Sequence, residues 1–177
     1  TEQKKVEKNL VESENRYRML FENSQVSTAI ISMDSQVIDA NEQFFKNIGY
    51  VRGEIHDIHL KNMFKQFKQK KYIADTLLNG GKIREYEVEL ERKDGHLYIN
   101  SINADLIRYQ GQDVILVTAI DITERKRVEK FLKESEERYR GLFKYIGSGV
   151  AVYSAVQDGE DFIFTDFNNA AEEIDKL

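Results

Sequence analysis

The sequence predicts an α+β fold in which an antiparallel sheet is flanked by two charged helices. Between residues 23 and 121, short apolar runs alternate with turn residues, which is typical of strands joined by hairpins. At residues 1–22 and 122–143, apolar residues recur every three or four positions among charges, which is typical of coiled-coil helices. With 177 residues and 41% apolar residues, the chain is predicted to hold one domain with extensions, or one domain and part of another.

The two helical segments share one apolar seam. In residues 1–22 the seam is Val6, Leu10, Ser13, Tyr17 and Leu20, and in residues 122–143 it is Val128, Leu132, Ser135, Tyr139 and Leu142. Residues 10–21 and 132–143 are also copies, identical at most of their positions. A repeat distance of 132 − 10 = 122 residues is too long for a solenoid unit. We therefore expect a whole domain and its connecting helix to recur, with the next copy beginning near residue 143.

The first half of the domain is predicted to be a hairpin followed by helices. Residues 28–33 and 36–40 have the composition of two short strands with a turn between them. Asn41 then caps a short helix that ends at Gly49. A longer helix is predicted over residues 65–79, with four apolar side chains facing inward: Phe67, Ile73, Leu77 and Leu78.

The second half is predicted to be three consecutive antiparallel strands. Residues 83–90 alternate apolar and acidic side chains, which indicates a half-buried strand. The turn at residues 92–95 leads to a long strand over residues 97–108. On that strand Leu97, Ile99 and Ile107 compete with Tyr98, Ile102 and Leu106 for the inner face. The last strand is the uncharged run 114–120.

The last strand passes directly into the second helix. Asp121 can accept hydrogen bonds at the helix start, and Glu124, three residues later, completes a capping box. Because only this short polar segment separates the strand from the helix, strain in the strand would be passed on to the helix. We predict Asp121 and Thr123 to be the hinge between the sheet and the helix.

Several motifs in this order resemble the PAS domain family. Asp39-Ala40-Asn41 before an aromatic helix, Ile48-Gly49-Tyr50 after it, the turn Arg92-Lys93-Asp94-Gly95 and the exit segment Asp121-Ile122-Thr123-Glu124-Arg125-Lys126 are similar to segments of that family. The resemblance covers roughly residues 15–121. It implies a five-stranded antiparallel sheet crossed by short helices, and a cytoplasmic sensor module, most often of a sensor histidine kinase. A diguanylate cyclase or a chemoreceptor is the alternative parent.

Residues 144–177 resemble the start of a second, truncated copy. Residues 149–153 and 162–166 correspond to the first two strands, joined by a longer turn, and Asn168 takes the place of Asn41. This copy is expected to lack its remaining helices and last three strands. Its open strand edges could therefore pair with a neighbouring chain.

Catalytic, metal and nucleic-acid sites are not expected. The chain has no cysteine, so a thiolate nucleophile and a cysteine-adduct flavin are not expected. His56 and His59 could mimic a phosphoacceptor or share a metal, but they lie in a short loop-helix segment without an obvious third ligand. No histidine lies on the 65–79 helix, so haem is not expected either. No basic face argues for nucleic acid, and no apolar run could span a membrane.

A ligand pocket remains as the candidate site. PAS-like sheets enclose a cavity, and its polar groups are predicted to be Tyr86, Asn100, Asn103 and Thr118. An inward Asn100 would need a ligand or water, whereas it could also face solvent or bond a core backbone group. The expected partners are a second copy of the chain, through a parallel dimer of the flanking helices, and a small molecule of unknown identity. The alternative is a ligand-free module for dimerisation or spacing.

Overall fold

The computed structural model describes residues 2–156 and 161–174. The chain divides into two units, the first reaching Glu124 and the second starting at Arg125. The first unit contains the helices and strands α1 (Glu2–Glu22), β1 (Ser27–Ile31), β2 (Val37–Ala40), α2 (Glu42–Ile48), α3 (Phe67–Leu78), β3 (Ile83–Glu91), β4 (Leu97–Tyr109) and β5 (Gln112–Asp121). Two 3₁₀ turns, Arg52–Asp57 and Leu60–Asn62, lie between α2 and α3.

The predicted five-stranded antiparallel sheet is confirmed. Its strand order is β2-β1-β5-β4-β3, and each neighbouring pair is antiparallel. The last strand in sequence, β5, is therefore central, paired with β1 on one side and β4 on the other. This position explains the uncharged, β-branched run 114–120 within the strand, because a central strand has neighbours on both edges.

The burial of β4 settles which of its faces is internal. Tyr98, Asn100, Ile102 and Ala104 are all buried, so the even-numbered side chains face the core along this part of the strand. Leu106, which has the same parity, is 41% exposed because it lies towards the end of the strand. The alternative set of Leu97, Ile99 and Ile107 therefore faces away from the core, because successive side chains of a strand alternate between its two faces.

Two residues predicted to be buried on α3 are exposed. Ile73 and Leu77 pack on the core as expected. Phe67 is 74% exposed and Leu78 is 68% exposed. At about 100° per residue, Phe67 lies far around the helix from Ile73, and it is also the first helical residue. Ile73 and Leu77 pack on the core, whereas Leu78 borders the space between α3 and the sheet although most of its surface is exposed.

A bulge interrupts β3 near its start. The pairing between β3 and β4 shifts register between Ile83 and Tyr86, and Glu85 has a φ of 45°. The amide of Glu85 donates to Oδ1 of Asn103 at 3.0 Å. Because this amide is displaced from the ladder, the Asn103 side chain supplies the acceptor that it would otherwise lack.

The second unit continues α4 and adds a hairpin. α4 (Thr123–Tyr145) starts within the first unit and continues into the second. β6 (Ala151–Val156) and β7 (Asp161–Phe167) pair antiparallel, and α5 (Asn169–Ile174) follows. The longer turn predicted between the two strands falls on residues 157–160, which lie outside the described residues. Within the described ranges, no helix has both the length and the apolar character to cross a membrane.

Candidate functional site

A cavity of about 370 Å³ lies inside the first unit. We call it the inner cavity. One wall is the sheet, and the other includes α2 and α3, which contribute Phe44, Ile48, Ile73, Ala74 and Leu77. The sheet side is also mainly apolar and includes Ile31, Val88, Leu90, Ile102, Val117 and Ala119. Such a surface favours an apolar occupant.

Asn100 is the most buried of the polar side chains in this lining, which also includes Ser27 and Asn47. Its side chain lines the cavity and is 2% exposed. Its Oδ1 atom has no hydrogen-bond partner among the described residues. A buried acceptor without a partner costs about 1–3 kcal/mol. The structure thus places Asn100 on the inner face, and its role in binding a ligand stays a prediction.

Tyr98 lies on the same wall, two residues before Asn100. It is 3% exposed, and this burial raises the pKa of Tyr98 to about 12. Hydrogen bonding from the Asn100 side chain and the positive charge of Arg92 act in the opposite direction but are weaker. The phenol is therefore uncharged at neutral pH, as a group in an apolar wall should be.

The other three predicted pocket residues do not line the inner cavity. Asn103 and Thr118 are paired across β4 and β5, and Asn103 Nδ2 donates to Thr118 Oγ1 at 3.4 Å. Asn103 lies three residues after Asn100 on β4, and side chains of a strand alternate between its faces, so Asn103 and its partner Thr118 lie on the opposite face of the sheet from Asn100. This corrects the prediction that both line the pocket. Tyr86 is half-buried against the ring of Tyr72, with centroids 4.9 Å apart.

A chain of contacts leads from the cavity wall to α4. The guanidinium of Arg92 lies over the ring of Tyr98, 4.5 Å from its centroid. Nη2 of Arg92 also donates to Oδ2 of Asp121 at 2.7 Å. Oδ1 of Asp121 accepts from the amide of Thr123 at 2.9 Å and from its hydroxyl at 2.5 Å. We call Arg92, Asp121 and Thr123 the exit joint.

The exit joint is also tied to β4. The Ile99 amide donates to Thr123 Oγ1 at 2.9 Å, and the Ile122 amide donates to the Ile99 carbonyl at 2.8 Å. Ile122 is buried, so the first residues of α4 are held by the sheet. Sequence reasoning assigned Arg92 only to a turn. Nothing local in the sequence indicates that its side chain reaches Asp121, which lies 29 residues later.

Asn41 connects the start of the domain to α2. As N-cap of α2, its Oδ1 accepts from the amides of Phe44 and Thr28, each at 3.0 Å. Its Nδ2 donates to the carbonyls of Phe21 and Val26 at 3.1 and 2.8 Å. Asn41 is fully buried, so these four bonds have no competition from water.

Asn168 in the second unit makes the corresponding set of bonds. Its Oδ1 accepts from the amides of Val150 and Ala171 at 2.8 and 3.1 Å. Its Nδ2 donates to the carbonyls of Ser148 and Ile146 at 2.9 and 3.4 Å. Like Asn41, it follows the second strand of a hairpin and precedes a short helix.

The helical seams are exposed within the chain. On α1 this applies to Val6, Leu10 and Tyr17, which are 63%, 68% and 58% exposed. On α4 the same holds for Val128, Leu132, Tyr139 and Leu142. No residue of either helix is buried within the chain.

The predicted histidine pair lies in the segment between α2 and α3. His56 is exposed on the 3₁₀ turn Arg52–Asp57, and His59 is half-buried two residues beyond it. In the part of the chain that the structure describes, no three metal-ligating side chains come together. A transfer histidine would instead be expected in the middle of a long dimer helix.

The sequence matches a known family over its first unit. The sequence model described as PAS domain matches residues 25–124. A solved PAS domain of an HTR-like protein from Haloarcula marismortui superposes with a TM-score of 0.56 at 26% identity, covering 67% of this chain and 99% of that one.

Two full-length relatives are larger signalling proteins. A methyl sulfide methyltransferase-associated sensor of Methanosarcina acetivorans is 29% identical over 141 residues, which are 76% of this chain and 14% of that protein. The sensor histidine kinase TmoS of Ectopseudomonas mendocina is 25% identical over 135 residues, which are 72% of this chain and 14% of that protein. The matched region is thus a small part of each relative.

Proposed function

Because the chain belongs to the PAS domain family, we propose that its first unit senses an occupant of the inner cavity and passes the signal through the exit joint to α4. The parent protein is proposed to be a sensor histidine kinase of a two-component phosphorelay, since one of the relatives is named as such a kinase. A diguanylate cyclase or a chemoreceptor remains the alternative parent. In each case the output would come from outside these residues.

One observation carries this proposal. Arg92 contacts both the cavity wall, through the ring of Tyr98, and the start of α4, through Asp121. A ligand that moves Tyr98 or Asn100 would change the surface on which the Arg92 guanidinium lies. Because Asp121 also holds the amide and hydroxyl of Thr123, a shift of Arg92 would alter how α4 leaves the sheet. A differential contact of this kind is what a ligand needs to shift a conformational equilibrium.

The response is proposed to travel along paired helices. α1 and α4 each carry an exposed apolar seam among charged residues, and such a seam is stabilised when a second helix covers it. A parallel homodimer supplies an identical seam in register. Rotation or sliding of the paired α4 helices would then pass the signal to the following module.

Residues 144–177 are proposed to begin that following module. The four hydrogen bonds of Asn168 support this view because they repeat the donor and acceptor pattern of Asn41. A whole second domain placed directly after α4 would make α4 a connector between two sensor units. The proposal that residues 144–177 begin a second domain does not depend on which molecule occupies the inner cavity.

Site-directed cross-linking can test the relay because the chain has no cysteine. Leu132→Cys places a thiol on the α4 seam, and Lys130→Cys places one on the opposite side of the helix as a matched control. We expect rapid oxidation to a covalent dimer for the seam variant and slow oxidation for the control. In the full-length parent, a change of kinase output by a cavity ligand should accompany a change in the seam cross-linking rate.

Asp121→Ala provides the decisive comparison. The variant should keep the folded sheet and still bind a cavity ligand, but the ligand should no longer change the cross-linking rate or the output. A ligand response that persists in Asp121→Ala would exclude the relay through this joint. The competing function, a ligand-free dimerisation module, predicts seam cross-linking in both proteins that no cavity ligand alters.

A further inference from the structure

The chemistry of the inner cavity defines the kind of molecule that it accepts. We propose that the occupant is an uncharged, mainly apolar molecule with one O–H or N–H group that donates a hydrogen bond to Oδ1 of Asn100. This inference rests on the proposed function, because it names the occupant of the same cavity. It is carried by the unpartnered acceptor and by the character of the surrounding wall.

The position of Asn100 makes its oxygen a recognition group. Its neighbours on the same face of β4 are Tyr98 and Ile102, which are also buried. The Asn100 amide group hydrogen-bonds the Tyr98 side chain, whereas its Oδ1 is an acceptor without a partner in a mainly apolar lining. A polar atom of this kind selects strongly for ligands that complement it, because a ligand lacking a donor leaves it without a partner.

A lone water molecule satisfies this acceptor poorly. Buried waters generally make about three hydrogen bonds, and the lining of the inner cavity is mainly apolar, with the Tyr98 hydroxyl as the polar group beside Asn100. A donor attached to an apolar body has no such requirement, since its remaining surface packs on Ile73, Leu77 and Ile102. The same group thus satisfies Asn100 and fills the cavity.

The volume of the inner cavity and the charges along its wall limit the class of occupant further. With about 30 Å³ for each water-sized group, a cavity of about 370 Å³ holds on the order of a dozen non-hydrogen atoms. The charged side chains along its wall are Asp34, which is exposed, and Lys61 and Lys70, which are half-buried. A carboxylate near Asn100 would place two acceptors together, and a buried ammonium would lose its water, so an uncharged donor fits the deep wall.

A series of three compounds tests this proposal on the 177-residue chain. 4-Butylphenol has the donor, 4-butylanisole replaces the hydroxyl with a methyl ether, and butylbenzene lacks oxygen. Isothermal titration calorimetry at pH 7 should give about tenfold tighter binding of the phenol than of the ether or the hydrocarbon, as one satisfied hydrogen bond predicts. Backbone amide shifts in NMR spectra should locate the binding at β4 and α3.

Substitution of Asn100 provides a second, independent comparison. Asn100→Leu keeps a similar volume and removes the acceptor, so the three compounds should bind this variant with affinities within about twofold of each other. Ser101→Ala, on the opposite face of the same strand, should retain the tenfold preference for the phenol. If a variant folds poorly, the relative affinities of the three compounds for the unmodified chain still test whether the occupant donates a hydrogen bond.

The outcomes separate this inference from the proposed relay. Equal affinities for the three compounds in the unmodified chain, or no binding of 4-butylphenol up to its solubility limit, would overturn the inference. A tenfold preference that Asn100→Leu abolishes supports it. If that preference is observed but 4-butylphenol leaves the Leu132→Cys cross-linking rate unchanged, the inference stands and the relay through the exit joint fails.

Discussion

Asn100 on β4 and Asp121 on β5 are directly opposite each other across the two strands. Directly paired residues share a face of the sheet, so the side chain whose Oδ1 lacks a partner and the ion-paired carboxylate of the exit joint are neighbours. One is 2% exposed, whereas the side chain of the other keeps 28% of its surface accessible. The deepest polar group of the cavity is therefore a single strand spacing from the residue that holds the start of α4.

Replacing Asn100 with leucine should make the ligand-free protein more stable. The substitution removes a buried acceptor that has no partner and adds apolar surface to a mainly apolar wall, and these gains outweigh the lost hydrogen bond from the Asn100 side chain to Tyr98. We expect the free energy of unfolding to rise by about 1–2 kcal/mol. Urea denaturation with an unchanged m-value would measure this. A loss of stability would show that Asn100 makes an essential contact in the folded state.

Replacing Asn41 with alanine should have the opposite effect. Four hydrogen bonds of a fully buried amide are lost together, and α2 loses its cap. We expect a decrease in the free energy of unfolding of about 3 kcal/mol. Asn23→Ala is the matched control, because its amide donates a single exposed bond to Met19, and it should cost less than about 1 kcal/mol.

The stability of the first unit should fall between about pH 10 and pH 12. Burial raises the pKa of Tyr98 from its ordinary value of 10.0 to about 12, so the folded state holds the phenolic proton more tightly than the unfolded state. The stabilisation is fully present below pH 10 and is lost as the pH rises through the folded pKa. Two pH units correspond to a loss of about 3 kcal/mol at most.

Tyr98→Phe provides the comparison for that pH dependence. Its unfolding free energy should decline less steeply over this interval than that of the unmodified chain, as measured by urea denaturation at each pH. Tyr145→Phe, which alters an exposed phenol, should retain the original slope. Parallel curves for Tyr98→Phe and the unmodified chain would contradict the assignment of this titration to Tyr98.

The ion pair of Arg92 and Asp121 should show measurable coupling. A double-mutant cycle with Arg92→Gln and Asp121→Asn isolates their interaction from the contact of Arg92 with Tyr98. Both side chains are 28% exposed and are 2.7 Å apart, so we expect about 1 kcal/mol of coupling in urea denaturation. The exposed pair Lys8 and Glu12, at 3.7 Å, should give a value near zero.

The sequence predicted the architecture because its strands carry strong local signals. The run 114–120 is apolar and β-branched, and the structure places it in the central strand β5. Asn41 follows a strand and precedes an amphipathic helix, which is the local pattern of a cap. Recurrence of residues 10–21 at residues 132–143 marked the two long helices. Each of these features depends on residues close to one another in the chain.

The cavity wall and the exit joint depend on distant residues, and sequence reasoning resolved them only in part. Apolar residues occur at both parities of β4, so nothing local determined that Asn100 faces inward while Asn103 does not. Asn103 accepts a hydrogen bond from the amide of Glu85 at a bulge. Glu85 has a positive φ, and because this position is not a glycine, the sequence does not indicate the bulge. The contact of Arg92 with Asp121 requires the pairing of β3, β4 and β5, which is a property of the whole sheet.

The two ends of the proposed pathway differ in their response to dissolved salt. Packing around the inner cavity is apolar and depends little on ionic strength, whereas the contact of Arg92 with Asp121 joins opposite charges near the surface. At about 0.15 M salt the screening length is about 8 Å, and it shortens as salt is added. Concentrated electrolyte should therefore leave occupancy of the cavity almost unchanged, but it should weaken the ion pair of Arg92 and Asp121 that holds the start of α4 to the sheet.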